Sequence, residues 1–187
     1  SIARITMGTS PPGESLNEGG QGLPFYQGTR DFGFRHPVQR VYTVNPIRLA
    51  APGDILISVR APVGELNVAH EECCVGRGLA AIRSRMGTQA TLFHLLKLRS
   101  QVWAQFNGSG TVFGSINVGD LHAIPVVDIA GDRRGEVEDK LSSIEQSIGG
   151  IVRESATLAR TRDMILPKLM SGELRVRDAE KLVEDVV

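Results

Sequence analysis

The segment 53–83 constrains the fold of this chain more than any other part of its sequence. Gly53-Asp54 opens an apolar run that ends at Val59, and a second apolar run follows Gly76-Arg77-Gly78. Short apolar runs between turn-forming residues are typical of buried β-strands. Arg60-Ala61-Pro62 ends the first run, because proline lacks the amide hydrogen that a central strand needs. The segment therefore predicts short strands that end at arginines, an arrangement suited to presenting guanidinium groups from a sheet edge.

The rest of residues 1–132 predicts an irregular α/β (α+β) domain with a twisted sheet rather than an alternating βαβ series. Glycine and proline turns are dense, and the apolar runs between them are short. The residues 91–106 contain neither glycine nor proline, and their apolar spacing predicts a helix that lies on the sheet. The predicted strands are Pro24–Gln27, Ile55–Val59, Leu66–Val68, Leu79–Ile82 and Ile124–Val127.

Residues 134–170 have a different pattern, which predicts a long amphipathic helix of coiled-coil type. Eight of ten positions in a heptad frame are apolar. Gly149-Gly150 is expected to weaken the helix by about 1 kcal/mol per glycine, and Pro167 is expected to kink or end it. A second helix must cover the seam, whose apolar members are Val137, Leu141, Ile144, Ile148, Ile151, Leu158, Ile165 and Leu169.

These patterns divide the chain into three predicted parts. Residues 1–132 form the globular domain, 133–172 form a spacer and dimerisation helix, and 173–187 form a polar C-terminal tail.

The charge is balanced overall but unevenly distributed. The 21 acidic residues match the 21 basic ones, of which 17 are arginine. Between residues 20 and 85 there are eight arginines, five acids and no lysine, a local balance of +3. Arginine forks bind guanine edges and phosphates bidentately, so this region is a candidate for DNA contact. A GC-rich genome would give the same arginine bias without a functional reason.

The sequence lacks the motifs of the common enzyme classes. It has no Gly-x-x-x-x-Gly-Lys phosphate loop, no His-Glu-x-x-His and no zinc-like spacing among its cysteines and histidines. Glu138-Asp139-Lys140 resembles part of a nuclease metal site, but a solvated helix face explains it better. The adjacent Cys73 and Cys74 are poorly placed for a disulfide, which predicts a reducing cytoplasm. No catalytic or metal-binding residue is predicted, and no stretch approaches the roughly 20 apolar residues of a membrane span.

Several segments, in order along the chain, resemble the DNA specificity subunit of type I restriction-modification enzymes. The most specific are Gly53–Ala69 and Val75–Arg83. The segment 108–116 is similar to a Gly-Ser-Thr-Phe loop of that family, and 165–174 to the end of its conserved helix. The family linker after the last strand is replaced by 128–132, which leaves the junction between domain and helix open. Matching segments also occur near the start, at 8–12 and 22–28.

The resemblance implies a DNA-binding subunit without catalytic activity or a cofactor of its own. Such a subunit binds methyltransferase subunits that use S-adenosylmethionine, and through the complex it joins restriction subunits. One recognition domain and one helix make half of such a subunit. The chain is therefore expected to read half of a split site in double-stranded DNA and to pair through its helix as a homodimer. Two alternatives stay open: an assembly protein with little DNA affinity alone, and a recognition fragment of a fused restriction-methylation enzyme.

The resemblance does not assign base-reading residues, because these vary with the DNA target. The chemistry of arginine, glutamine and hydroxyl side chains in glycine-rich loops supplies the candidates instead. For Arg60 and Arg77 a structural salt bridge or carbonyl contact is an equally good explanation. The predicted DNA-binding residues are Gln27, Arg30, Arg35, Arg60, Arg77, Ser109 and Thr111.

Overall fold

The computed structural model describes residues 2–107, 114–127 and 129–174. The chain divides into two compact units, one of residues 1–142 and one that begins at residue 143. The helices of the described residues are α1 (Gln89–Lys97), α2 (Ser100–Gln105), α3 (Val118–Ala123) and α4 (Arg134–Met170). Their strands are β1 (Ala3–Met7), β2 (Leu16–Asn17), β3 (Leu23–Tyr26), β4 (Tyr42–Thr43), β5 (Leu49–Ala50), β6 (Ile55–Ser58), β7 (Leu66–Val68), β8 (Cys73–Val75) and β9 (Leu79–Ser84).

Strand β6 is at the centre of the first unit because both of its faces are buried. Within the described residues it belongs to an antiparallel sheet of order β1-β9-β6-β7. Ile55 and Ile57 pack into a core with helix α1, whereas Leu56 packs into a second core with Tyr26. Full burial of each such side chain contributes about 1.5–3 kcal/mol. The unbroken apolar run of the sequence is explained by these two cores.

The Gly-Asp pair that opens this run joins two distant parts of the sheet. Gly53 adopts φ +85, a conformation that side chains disfavour, so the chain turns sharply before β6. The buried Asp54 carboxylate accepts a hydrogen bond from the amide of Ala51 (2.8 Å) and pairs with Arg83 at the end of β9. The two sequence signatures are therefore parts of one packed unit.

A second sheet carries the ends of two strands to the surface. Its order among the described residues is β2-β4-β3-β8-β5, and β3 runs parallel to β8. Because parallel strands have their carboxyl ends at the same sheet edge, the residues that follow β3 and β8 lie side by side. These residues are Gln27-Gly28 and Gly76-Arg77-Gly78.

The single helix predicted for residues 91–106 is wrong, since the structure has α1 and α2 with a break between them. Trp103 is buried, and its indole N–H donates to the carbonyl of Leu96 (3.0 Å) in the last turn of α1. Leu98, at the break, is 76% exposed. Core packing of the tryptophan therefore interrupts a helix that the local sequence favours.

Two further expectations about elements are also corrected. The predicted strand Ile124–Val127 is not a strand, because its backbone has no ladder partner among the described residues. Helix α4 continues through Gly149-Gly150 and past Pro167 to Met170. The proline stands in the last turn, where its missing amide removes a hydrogen bond only at the end of the helix. The helix starts close to the predicted residue 133, and most of 173–187 lies outside the described residues.

Candidate nucleic-acid interface

A groove of about 520 Å³ in the first unit brings together arginines that are far apart in the sequence. We call it the arginine groove. Its charged side chains are four guanidinium groups and the carboxylates of Glu18 and Asp31, a balance of +2. The four guanidinium groups are those of Arg30, Arg40, Arg60 and Arg77.

Close backbone contact builds the floor of the arginine groove. The amide of Gly76 donates to the carbonyl of Tyr26 (2.8 Å), and that of Gly78 donates to the carbonyl of Gln27 (3.1 Å). A Cβ on Gly78 would lie 2.3 Å from the Gln27 oxygen, so only glycine permits this approach. The contact holds the exposed Arg77 beside the exposed Gln27.

A buried carboxylate orders one wall of the arginine groove. Asp31 is 5% exposed, and its Oδ2 accepts a hydrogen bond from the amide of Gln27 (2.7 Å). Its Oδ1 accepts from the guanidinium of Arg40. Because one carboxylate binds both groups, it fixes the loop that carries Arg30 and directs the Arg40 side chain along the wall.

Arg60 forms another part of the wall of the arginine groove. Its backbone forms a β-bridge with Ser115, and the neighbouring amide of Ala61 donates to the carbonyl of Gly114 (3.0 Å). The side chain of Asn107 binds the backbone of Val63 on the same turn. The predicted contacts Ser109 and Thr111 fall between Asn107 and Gly114 in the sequence and lie outside the described residues.

The structure separates Arg35 from the other predicted arginines. Arg35 is 7% exposed, and its guanidinium carbon lies 4.6 Å from the centre of the Phe93 ring. This is a cation–π contact inside the domain, away from the arginine groove. Contact of Arg35 with DNA stays a prediction from the sequence. Sequence reasoning missed Arg40, although it lies in the arginine-rich, lysine-free region.

Thus four of the predicted DNA-binding side chains are exposed in a single groove. They are Gln27, Arg30, Arg60 and Arg77.

Glu138 is not on a solvated helix face, which corrects the interpretation of the Glu-x-Lys motif. Its carboxylate accepts hydrogen bonds from the amides of Ala90 (3.0 Å) and Thr91 (2.9 Å) at the start of α1. Burial alone would raise the pKa of Glu138, but the hydrogen bonds from Thr91, Ala90 and Ser142 outweigh it and hold that pKa below the usual 4.5. The residue therefore caps a helix.

Among the described residues, no group of three or more His, Cys, Asp or Glu side chains could hold a metal ion. Burial raises the pKa of the Cys73 thiol to about 12, with Glu71 adding to the effect, so this thiol stays protonated and unreactive. No helix in the described part of the chain is long and apolar enough to cross a membrane.

The predicted seam of α4 is partly open to solvent. Ile144 is 52% exposed, Ile151 is 62% exposed and Leu158 is 47% exposed. These residues follow one another at intervals of seven, as a coiled-coil seam requires. Ile165 is buried, and the remaining seam residues Val137, Leu141, Ile148 and Leu169 are half-buried.

The chain is similar to proteins of one kind in both sequence and structure. A protein of Methanocaldococcus jannaschii, named as the specificity subunit of type I restriction enzyme MjaX, is 33% identical over 177 residues. That match covers 93% of this chain and 41% of the relative. The HsdS subunit of Thermoanaerobacter tengcongensis is 36% identical, with a TM-score of 0.66 over 92% of this chain and 43% of its own.

Two further solved structures match over a similar extent. A chain from a structure on complex assembly and conformational transition of the type I R-M system is 38% identical, with a TM-score of 0.63. The type I S subunit of M. genitalium has a TM-score of 0.68 at 15% identity, which shows the fold alone. No protein-family profile matches the chain. In each comparison the chain spans less than half the length of its relative.

Proposed function

We propose that this chain reads one half of a split DNA site. The proposal draws on its similarity to type I restriction enzyme specificity subunits, of whose length it spans about two fifths. The observation that carries the proposal is the arginine groove, where exposed arginines and a glutamine meet at the edge of a rigid sheet. Guanidinium forks and the glutamine amide match guanine and adenine edges in the major groove. Phosphate contacts from the same arginines would position the duplex.

Bond-making in the proposed complex belongs to other subunits. We propose that methyltransferase subunits bind this chain and supply S-adenosylmethionine, and that restriction subunits join through the complex. The chain itself then acts as a non-catalytic reader. A protein that acts on the DNA of the cell would be located in the cytoplasm.

The open seam of α4 supports pairing of two such chains. Apolar side chains at heptad spacing gain stability when a second helix covers them. A symmetric pair would read an inverted repeat, and the helix pair would set the distance between the halves. Pairing with the helix of a different recognition half would give an asymmetric split site instead.

Methylome sequencing of cells that carry the intact system identifies the DNA motif and shows whether it is split, palindromic or both. Duplexes with that motif and with a scrambled motif are then bound to the complex of this chain with its methyltransferase subunits. Arg77→Ala should weaken binding to the motif, whereas Arg85→Ala, an exposed arginine outside the groove, is the matched control. Loss of one bidentate contact is worth about 1–3 kcal/mol.

Each result bears on the proposal. Preference for the motif, reduced by Arg77→Ala and kept by the control, is the expected outcome. A complex that assembles but binds both duplexes equally would leave only the assembly role. Methyl transfer by this chain alone would contradict the non-catalytic assignment.

A further inference from the structure

The hairpin of residues 31–38 begins at the arginine groove, which Asp31 lines, and presents a bare aromatic ring at its tip. Phe34, at its tip, is 86% exposed, the largest exposed fraction among the large apolar side chains of the described residues. A phenyl ring that contacts water over most of its surface gains free energy when a partner covers it. Exposure alone does not identify that partner, but the residues around the ring indicate which kind of molecule it is.

The hairpin is rigid along its length. The amide of Val38 donates to the carbonyl of Asp31 (2.8 Å), and that of Gly33 donates to the carbonyl of His36 (3.1 Å). A Cβ on Gly33 would lie 2.6 Å from the His36 oxygen, so the turn requires glycine. The closed ladder fixes the direction in which the tip points.

Strand β7 holds the tip on both sides of Phe34. The amide group of Asn67 donates to the carbonyl of Gly33 (2.9 Å), and the amide of Val68 donates to the carbonyl of Arg35 (2.9 Å). The Arg35 side chain turns inward onto Phe93. Since the backbone is already ordered, a contact made by the ring loses little affinity to conformational entropy.

The base of the hairpin has positively charged surroundings, which favours DNA as the partner. With Arg30 and Arg40, the base lines the arginine groove, whose charged side chains have a balance of +2. A cavity of about 430 Å³ at the tip is lined by the exposed Lys97 and Glu65, whose charges balance, and by the buried Arg35. The excess of cations therefore lies at the base of the hairpin, where it suits a polyanion.

The hairpin connects the ring to the arginine groove. Asp31, at its base, lines the groove, and Phe34 follows three positions later, where the chain bends. We infer that Phe34 is a DNA-contacting residue whose ring packs against a base edge beside the bases that the arginine groove reads. The inference rests on the proposed function, and it adds a specificity-determining contact without charge.

The test uses the complex of this chain with its methyltransferase subunits and duplexes that carry the methylome-defined motif. Phe34→Ala should lower affinity about tenfold, because the apolar contact of the ring with a base edge such as a thymine methyl group is lost, while Phe34→Trp should keep most of it. The slope of affinity against salt should not change, because the ring contacts no phosphate. Leu98→Ala, which removes another highly exposed apolar side chain, is the control and should bind as wild type does.

A scan of base substitutions along the motif provides a second readout. Phe34→Ala should lose discrimination at one or two adjacent positions and keep it elsewhere. Unchanged affinity of Phe34→Ala, with wild type still selecting the motif, would overturn the inference and leave the proposed function intact. Loss of methyltransferase subunits from Phe34→Ala would overturn it in favour of a protein contact. If wild type itself does not select the motif, the proposed function fails, and the inference fails with it.

Discussion

Removal of the Glu138 carboxylate should destabilise the start of α1. The first amides of a helix lack partners within the helix, and Thr88, the N-cap residue of α1, makes no side-chain cap hydrogen bond. Glu138 fills that role from α4 through its bonds to Ala90 and Thr91. A buried helix start without a partner loses free energy, so Glu138→Ala should destabilise residues 1–142.

The size of the effect follows from two comparisons. Loss of a capping side chain costs about 0.5–2 kcal/mol, and hydrogen bonds to a charged group contribute about 1.5–3 kcal/mol where they are buried. Glu138 is only half-buried, so solvent reduces the second figure. We expect Glu138→Ala to lower the free energy of unfolding by about 1–2 kcal/mol. The corresponding fall in Tm is about 2–8 °C for a chain of this size.

Thermal unfolding and amide hydrogen exchange measure the two parts of this prediction. Exchange at Ala90 and Thr91 should speed up in Glu138→Ala, and Glu138→Gln, which keeps one acceptor oxygen, should be intermediate. Glu136→Ala is the matched control, because Glu136 lies on the same helix and only pairs with Lys140 at the surface. Equal Tm and equal exchange in Glu138→Ala and Glu136→Ala would refute the capping role.

The pH dependence has a defined sign. The pKa of Glu138 is lower in the folded chain than its usual value of 4.5. Its contribution to stability is therefore complete above the usual pKa and is lost as the pH falls through the lowered pKa. The difference in stability between wild type and Glu138→Gln should shrink below about pH 4.5. A difference that stays constant into the acid range would contradict the ionised cap.

Four further substitutions test the arginines and the seam. Arg30→Ala should weaken DNA binding by about 1–3 kcal/mol without affecting complex assembly, as measured by titration of labelled duplex, and unchanged affinity would remove Arg30 from the interface. Arg35→Ala should lower Tm, because it removes a buried guanidinium from Phe93. A variant that keeps the wild-type Tm but has lost DNA binding would instead show that Arg35 contacts DNA, as the sequence predicts. Ile144→Glu and Ile148→Glu should each abolish pairing of the chain in sedimentation experiments, because a charge on a covered apolar seam costs free energy. Pairing that survives both substitutions would show that the seam lies elsewhere.

Local sequence patterns predicted the elements whose burial leaves an apolar signature. The apolar runs of β6 and β9 and the heptads of α4 were identified, because burial on both faces leaves a continuous apolar run and burial of one stripe leaves a periodic one. Strand β8, with Cys73-Cys74, was not identified, since a short strand depends on partners distant in the chain. The break between α1 and α2 was also missed, because the core position of Trp103 decides it.

The sequence by itself determined that this chain has buried strands punctuated by arginines, a long helix with an apolar seam, and no recognisable catalytic motif. Only the tertiary structure decided which arginines act together. Parallel pairing of β3 with β8 brings Arg77 next to Gln27, and the buried Asp31 adds Arg40. Arg35, five residues from Arg30, turns inward to Phe93 instead. The reason is that side-chain direction depends on strand pairing and buried carboxylates, and these connect residues that no local pattern relates.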